Sequence, residues 1–311
     1  MIEISMDLHF IHEKIRECYS ENVTIRILNG LKERRNTTFR VNNLKGNMSD
    51  VENELNSKNI LYSIIKSKIN IIRLENHFVN NDNIINLTNL DIYKEGKIYL
   101  QSISSMIPVL VLNPVQNENI LDMCAAPGGK TTLIQSLSNN KVNLTATELH
   151  KDRFERLKYN IDLQGCNVYS ININALQLND NLKFDKILLD APCSGLGIID
   201  LNRPEKNFTN NLIDKCINAQ KKLIDKAHKL LKKDGTLIYS TCSLLKCENE
   251  DIIDFAVKKG FSIEPLKIED YLDFVDNKIL NIESVVSDGR FIKILPDSLF
   301  EGFFIAKLYK H

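Results

Sequence analysis

The sequence predicts an α/β protein: a mostly parallel sheet with helices on both faces, preceded by a small α/β N-terminal domain. Two observations predict it. From about residue 96, short apolar runs alternate with longer helical patterns, the rhythm of a parallel sheet. Before that point, short helical and extended signals follow one another without that regularity. The 311 residues suffice for two domains, at roughly 100–200 residues each. A boundary is therefore expected near residue 95, dividing the chain into 1–95 and 96–311, although no Pro- or Gly-rich linker marks it.

In chain order, helices are expected over 13–18 and 25–34, and a strand over 38–42. Ser49, Asp50 and Glu52 then open a helix through Leu55, with Ser49 as its N-cap. Residues 69–74 are expected to be extended. In the second part, strands are expected over 119–123, 144–148, 168–173, 186–190, 236–240 and 302–309. Helices are expected over 130–137, 152–164, 211–232 and 248–259. No internal repeat is visible.

Composition excludes several classes. Hydrophobic residues make up 43% of the chain, and 40 basic side chains meet 40 acidic ones for a net charge of zero. With only seven Pro and twelve Gly, this is neither a disordered basic tail nor a low-complexity linker. No apolar run approaches the roughly 20 residues that span a bilayer, and the most apolar stretch, 107–112, contains Pro108. The N-terminus lacks a basic region followed by an apolar one, so no secretory signal is read there. Seven scattered cysteines point to free thiols in a reducing compartment, the cytoplasm.

The chemistry gathers where strands end. The strand over 119–123 runs into Cys124-Ala125-Ala126-Pro127-Gly128-Gly129-Lys130-Thr131-Thr132 and then a helix. A tight small-residue turn before a helix N-terminus presents backbone N–H groups to an anionic ligand end. Gly129-Lys130-Thr131 looks like the end of a phosphate-binding loop, with residues 187–190 as a magnesium-holding strand. Against that reading, Cys124 stands where such a loop needs Gly, and Pro127 lacks an N–H. An adenosyl cofactor is the competing ligand, and it needs an acid at the end of the next strand, where Glu148 stands.

Two further strands end in cysteines: Asp190-Ala191-Pro192-Cys193-Ser194-Gly195 and Thr241-Cys242-Ser243. Cys18, Cys166, Cys216 and Cys247 read as inert structural thiols, the ordinary state of a lone cysteine. The set Asp-x-Cys-Ala-Ala-Pro-Gly-Gly-Lys-Thr, Leu-Leu-Asp-Ala-Pro-Cys-Ser-Gly and Tyr-Ser-Thr-Cys-Ser, followed by Glu248-Asn249-Glu250, resembles the NSUN (Nol/Nop/Sun) family of RNA cytosine-5 methyltransferases. Upstream, Phe39-Arg40-Val41-Asn42 and the stretch with Tyr99, Gln101, Ser105 and Met106 are similar too. Downstream, Arg290 and the segment 294–306 match the family's closing strands, so the resemblance covers about residues 38–309.

The resemblance implies a Rossmann-like class I methyltransferase domain that uses S-adenosylmethionine to form 5-methylcytosine. C5 of cytosine is not nucleophilic until a thiolate adds to C6. The family assigns that attack to Cys242 and release of the product to Cys193; an acid must also support N3 as charge builds on the ring, which Asp190 fits if its carboxyl is protonated or shares a proton with the base. Lys130 is expected to lower a neighbouring thiol's pKa, its plainer alternative being an ordinary helix-start lysine. The cofactor would lie on the loop from Cys124 to Lys130, beside Asp190, with its ribose on Glu148, Arg153 close by and its adenine amino group at Asn174. Asn174 stands where many members carry an acid, and Asp297 where a His is common; both departures leave the roles open.

A cytosine must be flipped out of a stem to reach Cys242, which calls for a basic approach path. Lys32, Arg34, Arg35, Arg40 and Lys45 form one such segment, the expected RNA contact; the lysine-rich helix over 215–233 reads equally as a solvated face. Neutral net charge requires that positive charge be local. With no appended module expected beyond either end, target choice falls to the first 95 residues and the catalytic surface. Transfer RNA is expected over ribosomal RNA, because a compact enzyme can engage a small folded substrate alone. The chain is expected to act as a monomer, without metal and away from membranes. The alternatives are an RNA-binding assembly factor without turnover, which retention of both cysteines opposes, and a P-loop nucleotidase.

Overall fold

The structure, a computed structural model, describes residues 2–65, 67, 69, 71–74, 87–203, 208–272, 285–287 and 289–311. In chain order the first elements are α1 (Ile2–Arg16), α2 (Glu21–Gly30), β1 (Thr38–Val41), α3 (Met48–Ser57), β2 (Tyr62–Ile65), β3 (Ile71–Leu74), α4 (Asp91–Lys94) and β4 (Ile98–Leu100). There follow α5 (Ile103–Leu112), β5 (Asn119–Asp122), α6 (Gly129–Ser138), β6 (Asn143–Glu148), α7 (Lys151–Gln164), β7 (Val168–Asn172), β8 (Phe184–Asp190), α8 (Asn210–Leu230) and β9 (Leu231–Thr241). The chain closes with α9 (Glu250–Lys258), β10 (Phe261–Glu264), β11 (Val285–Ser287), β12 (Ile292–Ile294) and β13 (Phe303–Lys310).

β1 to β4 form an antiparallel sheet in the order β2-β3-β1-β4. Phe39, Val41, Ile72 and Ile98 bury its apolar face against Val51 and Leu55 of α3. The cap of α3 is Asn47, not the expected Ser49: Asn47 accepts from the Asp50 N–H at 3.1 Å and Asp50 accepts from the Asn47 N–H at 3.4 Å. That reciprocal pair satisfies two orphan donors, whereas Ser49 falls inside the first turn. The small sheet passes the expected boundary at 95, because Ile98–Leu100 pairs with β1. The unit expected over 1–95 also divides into two cores. Ile11, Ile15, Ile27 and Leu31 pack on Leu196, Phe208, Leu244 and Leu295 rather than on the small sheet. Residue 70, part of the expected extended stretch, lies outside the described residues.

The large sheet runs β11-β12-β13-β9-β8-β5-β6-β7, and β10 pairs the far half of β13. Strands β5 to β9 are mutually parallel, and β13 returns antiparallel to β9. Ile187, Leu188 and Leu189 are all buried, the continuous apolar run of a strand covered on both faces. The chain moves one way from β5 to β6 and β7, and the other way to β8 and β9. The switch point therefore lies between β5 and β8, where open α/β sheets hold ligands at the carboxyl edge.

The expected strands and helices of this half are present, with ends shifted by a few residues. α8 stops at Leu230 and β9 begins at Leu231, so the tail of the helix expected to 232 belongs to the strand. Helix α5 was not foreseen: its residues other than Ser105 are buried, and a helix apolar all round carries no 3.6-residue stripe to read. It joins Leu133 and Ile134 of α6 in covering one sheet face, while Leu223 and Ile224 of α8 and Ile252 and Ile253 of α9 cover the other.

Candidate active site

Every strand end singled out in the sequence opens on one cleft. A cavity of about 430 Å³ is lined by Cys124, Ala126, Glu148, Arg153, Asn174, Asp190, Cys193 and Cys242. A smaller one of about 230 Å³ shares Cys124, Ala126 and Asp190 and adds Ala125, Pro127, Gly129, Lys130, Asp122, Tyr99 and Gln101. The first lies within the range of small-ligand sites, roughly 300–1,000 Å³.

On one side the loop after β5 turns at Gly128, whose φ of +113° excludes a side chain. Arg153 steadies that loop, donating to the Ala126 carbonyl at 2.8 Å while standing 3.6 Å from the Glu148 carboxylate. Glu148 is buried and accepts from the His150 N–H at 2.9 Å. Asn174 caps a short turn through its side-chain oxygen, bonded to the Leu176 N–H at 3.0 Å. Asp122 was missed as a site residue, although it opens the loop motif and ends β5. Its Oδ2 accepts from Thr131 at 2.7 Å, and its buried Oδ1 meets no partner among the described residues. Burial pushes its carboxyl up to about 6.

On the other side, the Cys193 and Cys242 sulfurs approach to 3.2 Å as free thiols. Hydrogen bonding to Cys242, burial and the nearby Glu248 carboxylate push the Cys193 thiol well up. Asp190 accepts from Lys130 at 2.7 Å through Oδ2 and from Ser240 at 2.7 Å through Oδ1. Lys130 also donates to Ser105 at 2.8 Å and lies 5.3 Å from the Phe303 ring centre. The lysine expected to act on a thiol is thus committed to a carboxylate, because the first turn of α6 faces the end of β8. Asp297 closes a turn instead of facing the cleft, its carboxylate accepting from the Leu299 and Phe300 N–H groups at 2.7 Å each.

The expected RNA segment divides. Lys32, Arg34 and Lys45 are exposed, whereas Arg35 is half-buried and donates to the Gly197 carbonyl at 3.2 Å. Arg40 is fully buried and cannot touch RNA. It donates to Gln101 at 3.0 Å and Thr132 at 2.8 Å, and stacks 5.0 Å from the Tyr99 ring. Burial pushes its guanidinium down to about 10. β1 lies inside the small sheet, between β3 and β4, and the side chain that charge pattern assigns to water points at α6 instead. On α8, Lys215, Lys221, Lys222 and Lys229 are exposed, but Lys226 is buried against Leu178 and Asp180. Among the described residues, no helix is long and apolar enough to cross a membrane, and no side-chain cluster has the make-up of a metal site.

A sheet of this order, with a glycine-rich loop after its first parallel strand and strand-end acids facing it, is that of a class I methyltransferase. The chain belongs to the family described as 16S rRNA methyltransferase RsmB/F, whose model matches residues 109–309. A tRNA (cytosine(72)-C(5))-methyltransferase of Pyrococcus horikoshii is 37% identical over 72% of this chain and 55% of its own length. A tRNA (cytosine(49)-C(5))-methyltransferase of Pyrococcus abyssi is 32% identical over 88% of each chain. A methyltransferase homologue from Pyrococcus horikoshii superposes with a TM-score of 0.75 at 30% identity, over 96% of this chain and 94% of the other. The chain thus spans only about half of the first relative, and nearly all of the second.

Proposed function

We propose that the chain is an S-adenosylmethionine-dependent methyltransferase that forms 5-methylcytosine in transfer RNA. The observation that carries this is the thiol pair, 3.2 Å apart at the carboxyl edge of the sheet, beside Asp190 and a cleft that takes a small ligand.

The residues fit the cofactor. The unpartnered Oδ1 of Asp122 suits the methionyl ammonium, Glu148 the ribose hydroxyls and Asn174 the adenine amino group. S-Adenosylmethionine supplies an electrophilic methyl group. The Cys242 sulfur, its thiol proton given up to solvent, bonds to C6 of the target ring. The C5–C6 pair then makes C5 nucleophilic towards the methyl group that a bound S-adenosylmethionine would give up, its S–CH3 bond breaking to leave a neutral thioether. The C5 proton afterwards leaves to a base, its pair re-forms the C5–C6 double bond, and the C6–S bond breaks. Cys193 serves this release: the bond to Cys242, the largest cause of its raised pKa, is gone once that sulfur is bonded to carbon. Asp190, held by Lys130 and Ser240, accepts from the ring's N3 once N3 carries a proton as negative charge builds on the ring.

Lys32, Arg34 and Lys45 offer the exposed positive charge for RNA, and seven free cysteines fit a reducing cytoplasm. The relative matched over 88% of both chains is a tRNA enzyme, which favours tRNA; the family description favours rRNA as the second reading. Bisulfite sequencing of total RNA from a strain lacking the protein decides between them. Loss of a tRNA 5-methylcytosine is expected, and loss confined to rRNA overturns the first reading.

A further inference from the structure

Beneath the two thiol loops lies a carboxylate that the reaction above does not use. Glu248 is fully buried and forms no ion pair among the described residues. Its Oε1 accepts from the Ser194 N–H at 2.8 Å and from Gln220 at 3.3 Å; its Oε2 accepts from the Ser194 hydroxyl at 2.6 Å and from the Ser243 hydroxyl. Ser194 follows Cys193, and Ser243 follows Cys242. One side chain therefore grips the residue next to each sulfur.

Its neighbour makes the contrast. Asn249 accepts from Thr241 at 2.6 Å and donates to the Ser243 carbonyl at 2.9 Å, so it shapes the Cys242 loop alone. Gln220 reaches the Cys193 loop, donating to the Pro192 carbonyl at 3.0 Å, and meets the Cys242 side only through Glu248. Burying a carboxylate without a counter-charge is costly even when hydrogen bonds satisfy it, and an apolar residue of similar size often fills such a space at less cost. A carboxylate kept there has a use that filling space does not explain.

We infer that Glu248 is a positioning residue that locks the Cys193 loop to the Cys242 loop, and so sets how readily a captured cytosine is released as product. This rests on the adduct chemistry proposed above. Capture needs only the Cys242 sulfur; release needs both loops in register, since the C5 proton must leave as the C6–S bond breaks. Loosening the bridge slows release more than capture.

The test compares two quantities on one RNA: denaturation-resistant protein–RNA adduct and released 5-methylcytosine. Glu248→Ala raises the adduct-to-product ratio about tenfold, the scale at which small misplacements act. Glu248→Gln restores most of it, because its carbonyl and amide still reach both serines. Ser194→Ala and Ser243→Ala remove one arm each with less risk to folding, and each raises the ratio by a smaller factor. Glu248 does not line the cofactor cleft, so cofactor binding by calorimetry stays at the unsubstituted value in all four and reports an intact fold. Should Glu248→Ala fail to fold, the two serine variants decide. Cys193→Ala is the control: if it traps no adduct, the adduct chemistry itself is wrong. If it does trap adduct while the other variants lose capture and release in equal proportion, Glu248 is structural only and the inference is overturned.

Discussion

The two halves of the cleft are built on opposite plans. The half that meets the loop after β5 is held sparsely: Arg153 is half-exposed, Glu148 spends one of its two oxygens on a local turn, Asn174 shares its single oxygen with another, and Asp122 keeps a buried oxygen free. The thiol half is cross-linked more densely, with the Gln220 Oε1 its one buried oxygen left without a partner among the described residues. Glu248, Asn249, Gln220 and Ser243 bond one another's loops, and Gly197 donates to the Cys242 carbonyl at 2.8 Å while accepting from Gly302 at 2.9 Å. A ligand that comes and goes needs partners left open for it; a bond that forms and breaks needs atoms already in place.

The comparison can be broken at its strongest point first. Cys242→Ala is expected to abolish transfer, by about a thousandfold or more in single-turnover methylation, with cofactor binding retained; full activity would remove the nucleophile from that half. Gly197→Ala comes next, since an added Cβ would stand 2.1 Å from the Gly302 carbonyl oxygen. Thermal unfolding is expected to show a loss of about 1–3 kcal/mol, and kcat to fall with the cofactor Kd unchanged. The open half answers differently. Asp122→Asn is expected to weaken cofactor binding about tenfold and leave kcat at saturation alone. Because burial holds the Asp122 carboxyl up to about 6, it gains a proton as pH falls through that value. Calorimetry should therefore find cofactor affinity falling as pH drops through 6 and levelling off about tenfold lower, and Asp122→Asn should flatten that fall. Smallest is the paired change Lys32→Ala and Arg34→Ala, expected to cost a few-fold in RNA affinity and to reduce the salt slope by about two.

In both halves the sequence made the strand ends readable and left their partners, Asp122 among them, unread. Strand ends carrying Cys124, Glu148, Cys193 and Cys242 converge because parallel strands bring their carboxyl ends to one edge, a rule that acts on local pattern. Glu248 stood in a motif without a role, for its bridge from nearby Ser243 ends on Ser194, far away in the chain. Arg40 misled for the same reason: charge beside Lys32 and Arg34 suggests a wet surface, while the pairing of β1 with β3 and β4 is a long-range fact. The Lys130–Asp190 pair joins the first turn of α6 to the end of β8, sixty positions apart, and no spacing announces it.

That buried arginine changes how the small sheet is to be pictured. Arg40 fastens β1 to the first turns of α6, at the Gly129 carbonyl and the Thr132 hydroxyl, and Gln101 joins the same knot from the end of β4. The small sheet is then fixed in place against the loop after β5, through hydrogen bonds buried between the two rather than through a hinge.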